Sequence, residues 1–298
     1  MAIAPVRSWS LTLAVALVAC GDGKATSPLG TVLPDDRRMV FSSARDGNLD
    51  IFIMDADGRF PIYVTRDPKE DHHADWSPDR SRIAFMSNRD GDYEIYVILP
   101  NGRGFEQLTN SAGEDGLPRW SPDGSRILFT STREGDFALY VMAADGSNPT
   151  RLTLNASGSL GGSWSPDGSR IAFVSGFGAA RDIHVMNADG SNVIRLTNDP
   201  DIEGSDLAWS PDGSKIVFYS LGITDNDVHV MNADGTTRVR LTSTHASDRY
   251  PIWSPDGLRI AFTTDRDGDD EIYVMRADGT ELTRLTNSPG LDVLNSWR

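Results

Sequence analysis

The sequence predicts an all-β fold: a six-bladed β-propeller with four antiparallel strands per blade. Three observations predict it. Tryptophan recurs at one register, at Trp76, Trp120, Trp164, Trp209, Trp253 and Trp297, in steps of 44 or 45 residues. The first five open the run W-S-P-D, and four of those continue with Gly. Between the tryptophans, apolar residues alternate with period two, as on a strand, not with a helical stripe. A period of about 40–45 residues is that of a four-stranded propeller blade.

Each element follows in order. The tryptophan closes strand a, the innermost. S-P-D-G is a turn: Pro presets the first central position, Asp suits the second and Gly takes a left-handed conformation. In the first full copy Arg80 replaces the glycine, at a cost of about 1 kcal/mol. Strand b reads "RIAFMS" from Arg82, then "RILFTS", "RIAFVS", "KIVFYS" and "RIAFTT", with Ile83/Phe85, Ile127/Phe129 and Ile171/Phe173 on one face. Strand c reads "EIYVI" from Glu94, then "ALYVM", "DIHVM", "DVHVM" and "EIYVM". It is apolar on both faces, as a strand covered by blades on both sides must be. A-D-G then turns, and "RLT" forms strand d at Leu152, Leu196, Leu241 and Leu285. His184 and His229 take the slot of Tyr96, Tyr140, Tyr273 and Phe52, so they read as structural aromatics.

The ring must close. "VLPDDRRMVF" (residues 32–41) aligns with "WSPDRSRIAF", so blade 1 has strands b to d between Arg38 and Thr65 but no tryptophan-bearing strand a. The segment "DVLNSW", ending at Trp297, is expected to supply it. The competing closure uses Thr31–Leu33, with Val32 in the tryptophan slot. The expected organisation is a leader over 1–19, a lipidated cysteine and tether over 20–31, and the propeller over 32–298.

Composition bounds the function. Twenty-eight Lys+Arg against 43 Asp+Glu give a net charge of −15. That argues against a nucleic-acid partner, whose phosphates need a basic footprint. It suits cations, basic proteins or neutral ligands, and is also a common solubility device. The single cysteine, Cys20, excludes an internal disulfide and a thiolate metal cluster. Arg7 precedes an apolar run, Trp9–Ala19, too short to span a bilayer comfortably. The run ends in "LVAC", which resembles the lipobox of a bacterial lipoprotein signal. That resemblance makes Cys20 the lipidated first mature residue; an ordinary secretory signal with an incidental cysteine is the alternative. Gly21, rather than Asp, tilts the expectation towards the outer membrane. "GDGKATSPLGT" reads as a flexible tether.

The motif run S-x-R-D-G-x-x-x-I-Y-V-M, A-D-G, L-T, W-S-P-D-G resembles the WD-repeat-like "PD" repeats of TolB-type β-propellers. The resemblance covers 32–298 and implies the six-bladed fold. TolB, a periplasmic protein linked to a lipoprotein partner, carries an α/β domain before its propeller. Only about a dozen residues separate Cys20 from the first blade here, so a free-standing propeller is expected and TolB's partner does not carry over directly. Some related propellers precede hydrolase domains, but no G-x-S-x-G elbow occurs.

Propeller topology puts the S-P-D-G and A-D-G turns on one face and the variable d–a and b–c connections on the other. The leading expectation is a monomeric, non-catalytic binding or scaffold module that engages a protein or peptide at the channel mouth. Its candidate contacts, assigned to d–a loops, are His72, His73, Asp75, Arg119, Asp206, Arg249 and Tyr250. The alternative is a metal-assisted carbohydrate lyase or hydrolase using loop histidines, His72, His73 and His245, since some TolB-like lyases use a histidine cluster with a divalent metal. Against it, no third ligand has diagnostic spacing. The b–c loops "RDGNLD", "RDGDYE" and "RDGDDE" gather carboxylates on blades 1, 2 and 6. Asp90, Asp92, Glu94, Asp267, Asp269 and Glu271 are weak Ca²⁺ candidates; a solvated Asp-Gly turn explains the same residues. No other cofactor is indicated. Asp71, Asp115, Asp248 and Asp292, five residues before tryptophan, are expected to bond their own loop backbone.

Overall fold

The sheets assemble as the repeat requires. The structure, a computed structural model, describes residues 39–154, 158–176, 181–198, 202–221 and 225–298. Six antiparallel sheets of four strands follow one another around a ring. The innermost strands end on the repeated tryptophans: Asp71–Trp76, Asp115–Trp120, Ser159–Trp164, Ile202–Trp209, Asp248–Trp253 and Asp292–Trp297. The leader, Cys20, the tether and the Thr31–Leu33 closure lie outside the described residues. Among those described, no helix is long and apolar enough to cross a membrane.

Blade 1 is completed from the far end of the chain. Asp292–Trp297 pairs antiparallel with Met39–Ser43, with Met39 opposite Trp297 and Ser43 opposite Asp292. Trp297 packs among Met39, Phe41 and Phe52 of blade 1 and Ala261, Ile272 and Val274 of blade 6. A sheet with an open edge and an uncovered face would expose unpaired amides and apolar side chains; the clasp removes both.

The core lies between blades, not in a single centre. Each cluster joins strands b and c of one blade to the tryptophan and strand b of the next. The strand-b phenylalanines, Phe41, Phe85, Phe129, Phe173, Phe218 and Phe262, are at most 1% exposed. Burying each contributes about 1.5–3 kcal/mol. His184 and His229 stack on Phe173 and Phe218 at 5.6 and 5.5 Å, as the aromatic slot predicts.

The turn chemistry holds to the residue. Ser77 Oγ donates to Asp79 at 2.6 Å, and the Arg80 amide donates to the Ser77 carbonyl at 2.9 Å. Arg80 adopts φ +57°, close to the +71° of Gly124 at the same position. The outer strands differ from expectation. Strand d has only two residues, as in Thr150–Arg151 or Thr283–Arg284, and stops just before the expected leucine. The physical reason is the following threonine. Its hydroxyl accepts from the strand-c amide, as Thr109 does from Ile95 and Thr286 from Ile272, so a side chain replaces the next ladder bond.

Candidate functional site

The seven residues assigned to d–a loops lie on strand a instead. Pairing with strand b continues back to the position five before tryptophan, as Asp71 opposite Ser87 shows. A β-bulge makes this extension fit. His73, Leu117, Gly161 and Tyr250, each three residues before tryptophan, have φ between +51° and +54°, and the register shifts there. Leu117 and Gly161 share the bulge, so it belongs to the blade; what varies is the side chain it re-aims.

Four of the seven candidates border a cavity of about 610 Å³ on the propeller axis. Its rim carries Pro78, Pro122, Pro166, Pro211 and Pro255, so it opens on the S-P-D-G face, opposite the variable loops. Asp75, Arg119, Asp206 and Tyr250 line it. Arg119 of blade 3 reaches across to Asp206 of blade 5 at 3.3 Å, skipping blade 4. Asp75 accepts from the Trp120 amide at 2.8 Å and from Ser296 Oγ at 2.6 Å, with Arg298 at 3.8 Å. Burial, then the Asp206 charge, pushes the Tyr250 hydroxyl up to about 12, so it stays a neutral donor. Three guanidinium groups, of Arg80, Arg119 and Arg298, thus meet two carboxylates and a phenol between tryptophan and proline walls. Such a concave, partly apolar site with few polar groups suits oriented binding.

The histidines form the other end. His73 lies edge-on to Tyr250 at 6.2 Å, and Tyr250 meets Tyr219 at 5.9 Å. His72 lies edge-on to Tyr93 at 5.1 Å, and the two imidazoles face each other, Nδ1 to Nδ1, at 2.7 Å. Burial holds both down to about 3, with the neighbouring His73 adding at His72 and the Arg119 charge adding at His73. Two neutral rings at that distance share one Nδ1 proton. His245 is fully exposed, beside Asp225 at 3.4 Å, and does not join them. Among the described residues, no three His, Cys, Asp or Glu side chains converge as metal ligands would. Arg249 turns away from the cavity to Asp270, at 2.6 Å.

The acidic loops are largely occupied by the fold. Glu94 accepts from Thr109 and the Ser111 amide, and Glu271 from Thr286, the Ser288 amide and Arg284. Burial raises Glu94 to about 7 against those hydrogen bonds, with the Asp115 carboxylate adding to the rise. Asp90 and Asp267 accept from the hydroxyls of Tyr96 and Tyr273. Asp92 and Asp269 are exposed.

The aspartates five before tryptophan do not bond their loop backbone, as had been expected from local turn chemistry. Each takes the arginine of its own blade's b–c loop: Arg45–Asp292, Arg89–Asp71, Arg133–Asp115 and Arg266–Asp248, at 2.6–3.1 Å. All four carboxylates are 0% exposed, and the guanidinium charge offsets the cost of burying them. Each guanidinium also lies over the strand-b phenylalanine at 5.2–5.6 Å. The signal was in the repeat: blades with R-[DE]-G after strand b carry the aspartate, and blades 4 and 5 lack both.

Comparison with known proteins agrees with this architecture. The TolB beta propeller domain model matches residues 12–111, 77–199 and 204–298. TolB from Acinetobacter baumannii superposes with a TM-score of 0.76 at 25% identity, over 88% of this chain and 67% of that one. A candidate TolB from Agrobacterium tumefaciens gives 0.68 at 22% identity, over 87% and 89%. An oligogalacturonate lyase in complex with manganese gives 0.58 at 15%, over 87% and 75%. At those last two identities the likeness is one of fold. No curated protein sequence matches the chain.

Proposed function

As the chain belongs to the TolB β-propeller family, we propose that it is a non-catalytic binding propeller that engages a protein or peptide partner at the mouth of its central channel. The family's propeller suggests a protein-binding scaffold; the partner, the channel mouth and the anchor are this proposal's own. We place it in the bacterial envelope as a monomer, tethered by a lipid on Cys20, with the outer membrane favoured.

The observation that carries the reading is the channel itself. Its polar groups include a pair, Arg119–Asp206, that crosses the axis at 3.3 Å and is only partly buried. A peptide's carboxylate or amide could exchange with either member, and the tryptophan and proline walls supply apolar contact. Recognition of this kind is polar at the rim and weakens with salt. The two strand histidines that the lyase reading invokes are turned towards each other, Nδ1 to Nδ1, and among the described residues no third ligand joins them.

Affinity capture from envelope extracts, with the chain from residue 24 onward as bait, tests the proposal. A partner held by the unmodified bait and lost with Arg119→Glu, at unchanged thermal stability, supports it. No such partner, together with metal-dependent cleavage of acidic oligosaccharides that disappears in a His72→Ala/His73→Ala double variant, would replace it with the enzymatic reading.

A further inference from the structure

Four blade interfaces share one contact. The arginine that opens strand b lays its guanidinium over the tryptophan of the next blade. Arg82 lies over Trp120 at 5.0 Å, Arg126 over Trp164 at 4.7 Å, Arg170 over Trp209 at 4.7 Å and Arg259 over Trp297 at 5.2 Å. A flat cation on an indole face is held by the ring quadrupole, and a guanidinium stacks where an ammonium does not. Between blades 5 and 6 that arginine is replaced by Lys215, whose ammonium turns to Asn232 Oδ1 at 3.3 Å. Among the described residues no cation lies over Trp253.

At this interface a groove of about 700 Å³ opens. Val230, Val239 and Leu241 of blade 5 wall it with Ala277 of blade 6, and Trp253 lies in it. Asp212, Asp256 and Asp278 border it with Lys215, and the charge of Arg276 stands beside Asp278. Asp212 is held ionised, at about 2, by hydrogen bonds from Ser210 and Ser214. Its counterparts Asp123 and Asp167, held low first by their own serines, also have the charge of Arg126 or Arg170 beside them.

We propose that this groove is a guanidinium slot: it takes an arginine side chain of a protein partner, laid on Trp253 where four other blades lay an arginine of their own. The chemistry selects the occupant. Asp212 asks for the cation that its counterparts Asp123 and Asp167 have from Arg126 and Arg170, and the indole asks for a flat one. A lysine would satisfy the first without the second, and a neutral aromatic the second without the first. Pro211 and Trp253 also line the axial cavity, so a segment seated at the channel mouth reaches the slot along one face. The slot goes beyond the channel reading, because it recognises a side chain whether or not the channel holds the rest of the partner.

The test uses a capped Gly-Arg-Gly tripeptide titrated into the folded protein, followed through the indole N–H resonances by NMR. Trp253→Phe assigns the signal. The expected result is a saturable shift of the Trp253 resonance in the millimolar range, about tenfold weaker with the citrulline analogue. Asp212→Asn should weaken it. Lys215→Arg should abolish it, because that change supplies the missing guanidinium from within; it restores the residue used at four other interfaces, so folding is not at risk. No shift with the arginine peptide would overturn the proposal. So would equal binding of the citrulline analogue, which describes a merely apolar groove, or unchanged binding in Lys215→Arg. Arg119→Glu, which tests the channel, should leave the tripeptide shift in place, so the two readings fail separately.

Discussion

Blades 1, 2, 3 and 6 fasten strand a to the loop after strand b with a buried arginine–aspartate pair, whereas blades 4 and 5 do not. The difference separates what the repeat uses to fold from what it leaves open. In the first group the R-[DE]-G loops look acidic and ligand-like, yet the arginine reaches an aspartate with no solvent exposure and covers a phenylalanine. Blade 5 solves the same problem differently. Arg238, from the turn before strand d, covers Phe218 at 5.0 Å and donates to His229 Nδ1 at 3.3 Å. The same blade replaces the strand-b arginine with Lys215. Its departures from the repeat coincide with the groove proposed to take an arginine.

The largest effect should come from the clasp, which closes the ring and carries one of these pairs. Deleting 292–298 removes strand a of blade 1, Trp297 and the Arg45 partner together. Loss of a single cooperative urea transition is expected; an unchanged midpoint would break the closure argument. Asp292→Ala alone leaves Arg45 unpaired beside Phe41 and should cost about 3–5 kcal/mol in urea unfolding. Ser159→Ala, at the equivalent position of clamp-free blade 4, should cost about 1 kcal/mol. Equal losses would erase the distinction between the two groups of blades.

Titration divides blade 2 in the same spirit. His72 and His73 are held below their ordinary 6.5, so their contribution to stability is complete above that pH and is lost as pH falls towards 3. Glu94 is raised from 4.5, so its contribution is complete below 4.5 and is lost as pH rises through about 7. Urea midpoints measured from pH 4 to pH 8 should therefore lose their acid slope in His72→Gln/His73→Gln. They should lose part of the opposing neutral slope in Glu94→Gln. If the double histidine variant kept the full acid slope, the neutral imidazole pair would be wrong.

Two smaller gains complete the series. Arg80→Gly relieves a left-handed arginine and should stabilise by about 1 kcal/mol. Lys215→Arg should add about 0.5–1 kcal/mol by restoring the contact on the tryptophan. Thermal unfolding checks both, and destabilisation by Lys215→Arg would mean that the groove cannot accept a guanidinium.

Much of the fold was readable because each blade repeats one set of local rules. The six tryptophans fixed the register, the Arg80 turn needed only φ chemistry, and "DVLNSW" fitted the one missing strand. The site was less readable. His72 to Asp75 stand outside the repeat pattern and read as a d–a loop, yet strand alternation is only interrupted there. A bulge at His73 and Tyr250 breaks it, and a bulge can be seen only when the partner strand is present. For the same reason the cavity was expected on the variable face, while the side chains of Arg119 and Asp206 converge where the prolines open. The aspartates before tryptophan were assigned to their own backbone although the arginines rise and fall with them across the repeats. That pairing links positions 18 apart within most blades and 247 apart at the clasp, beyond the range of turn rules.

The central claim is that a partner binds the S-P-D-G face at the channel mouth and not the acidic loops. Amide hydrogen exchange of the protein with and without its captured partner tests it most directly. The account predicts protection at the turns following Trp76, Trp120, Trp209 and Trp253 and along the strand carrying Arg119. Protection confined to residues 89–94 and 266–271, with those turns unchanged, would contradict it.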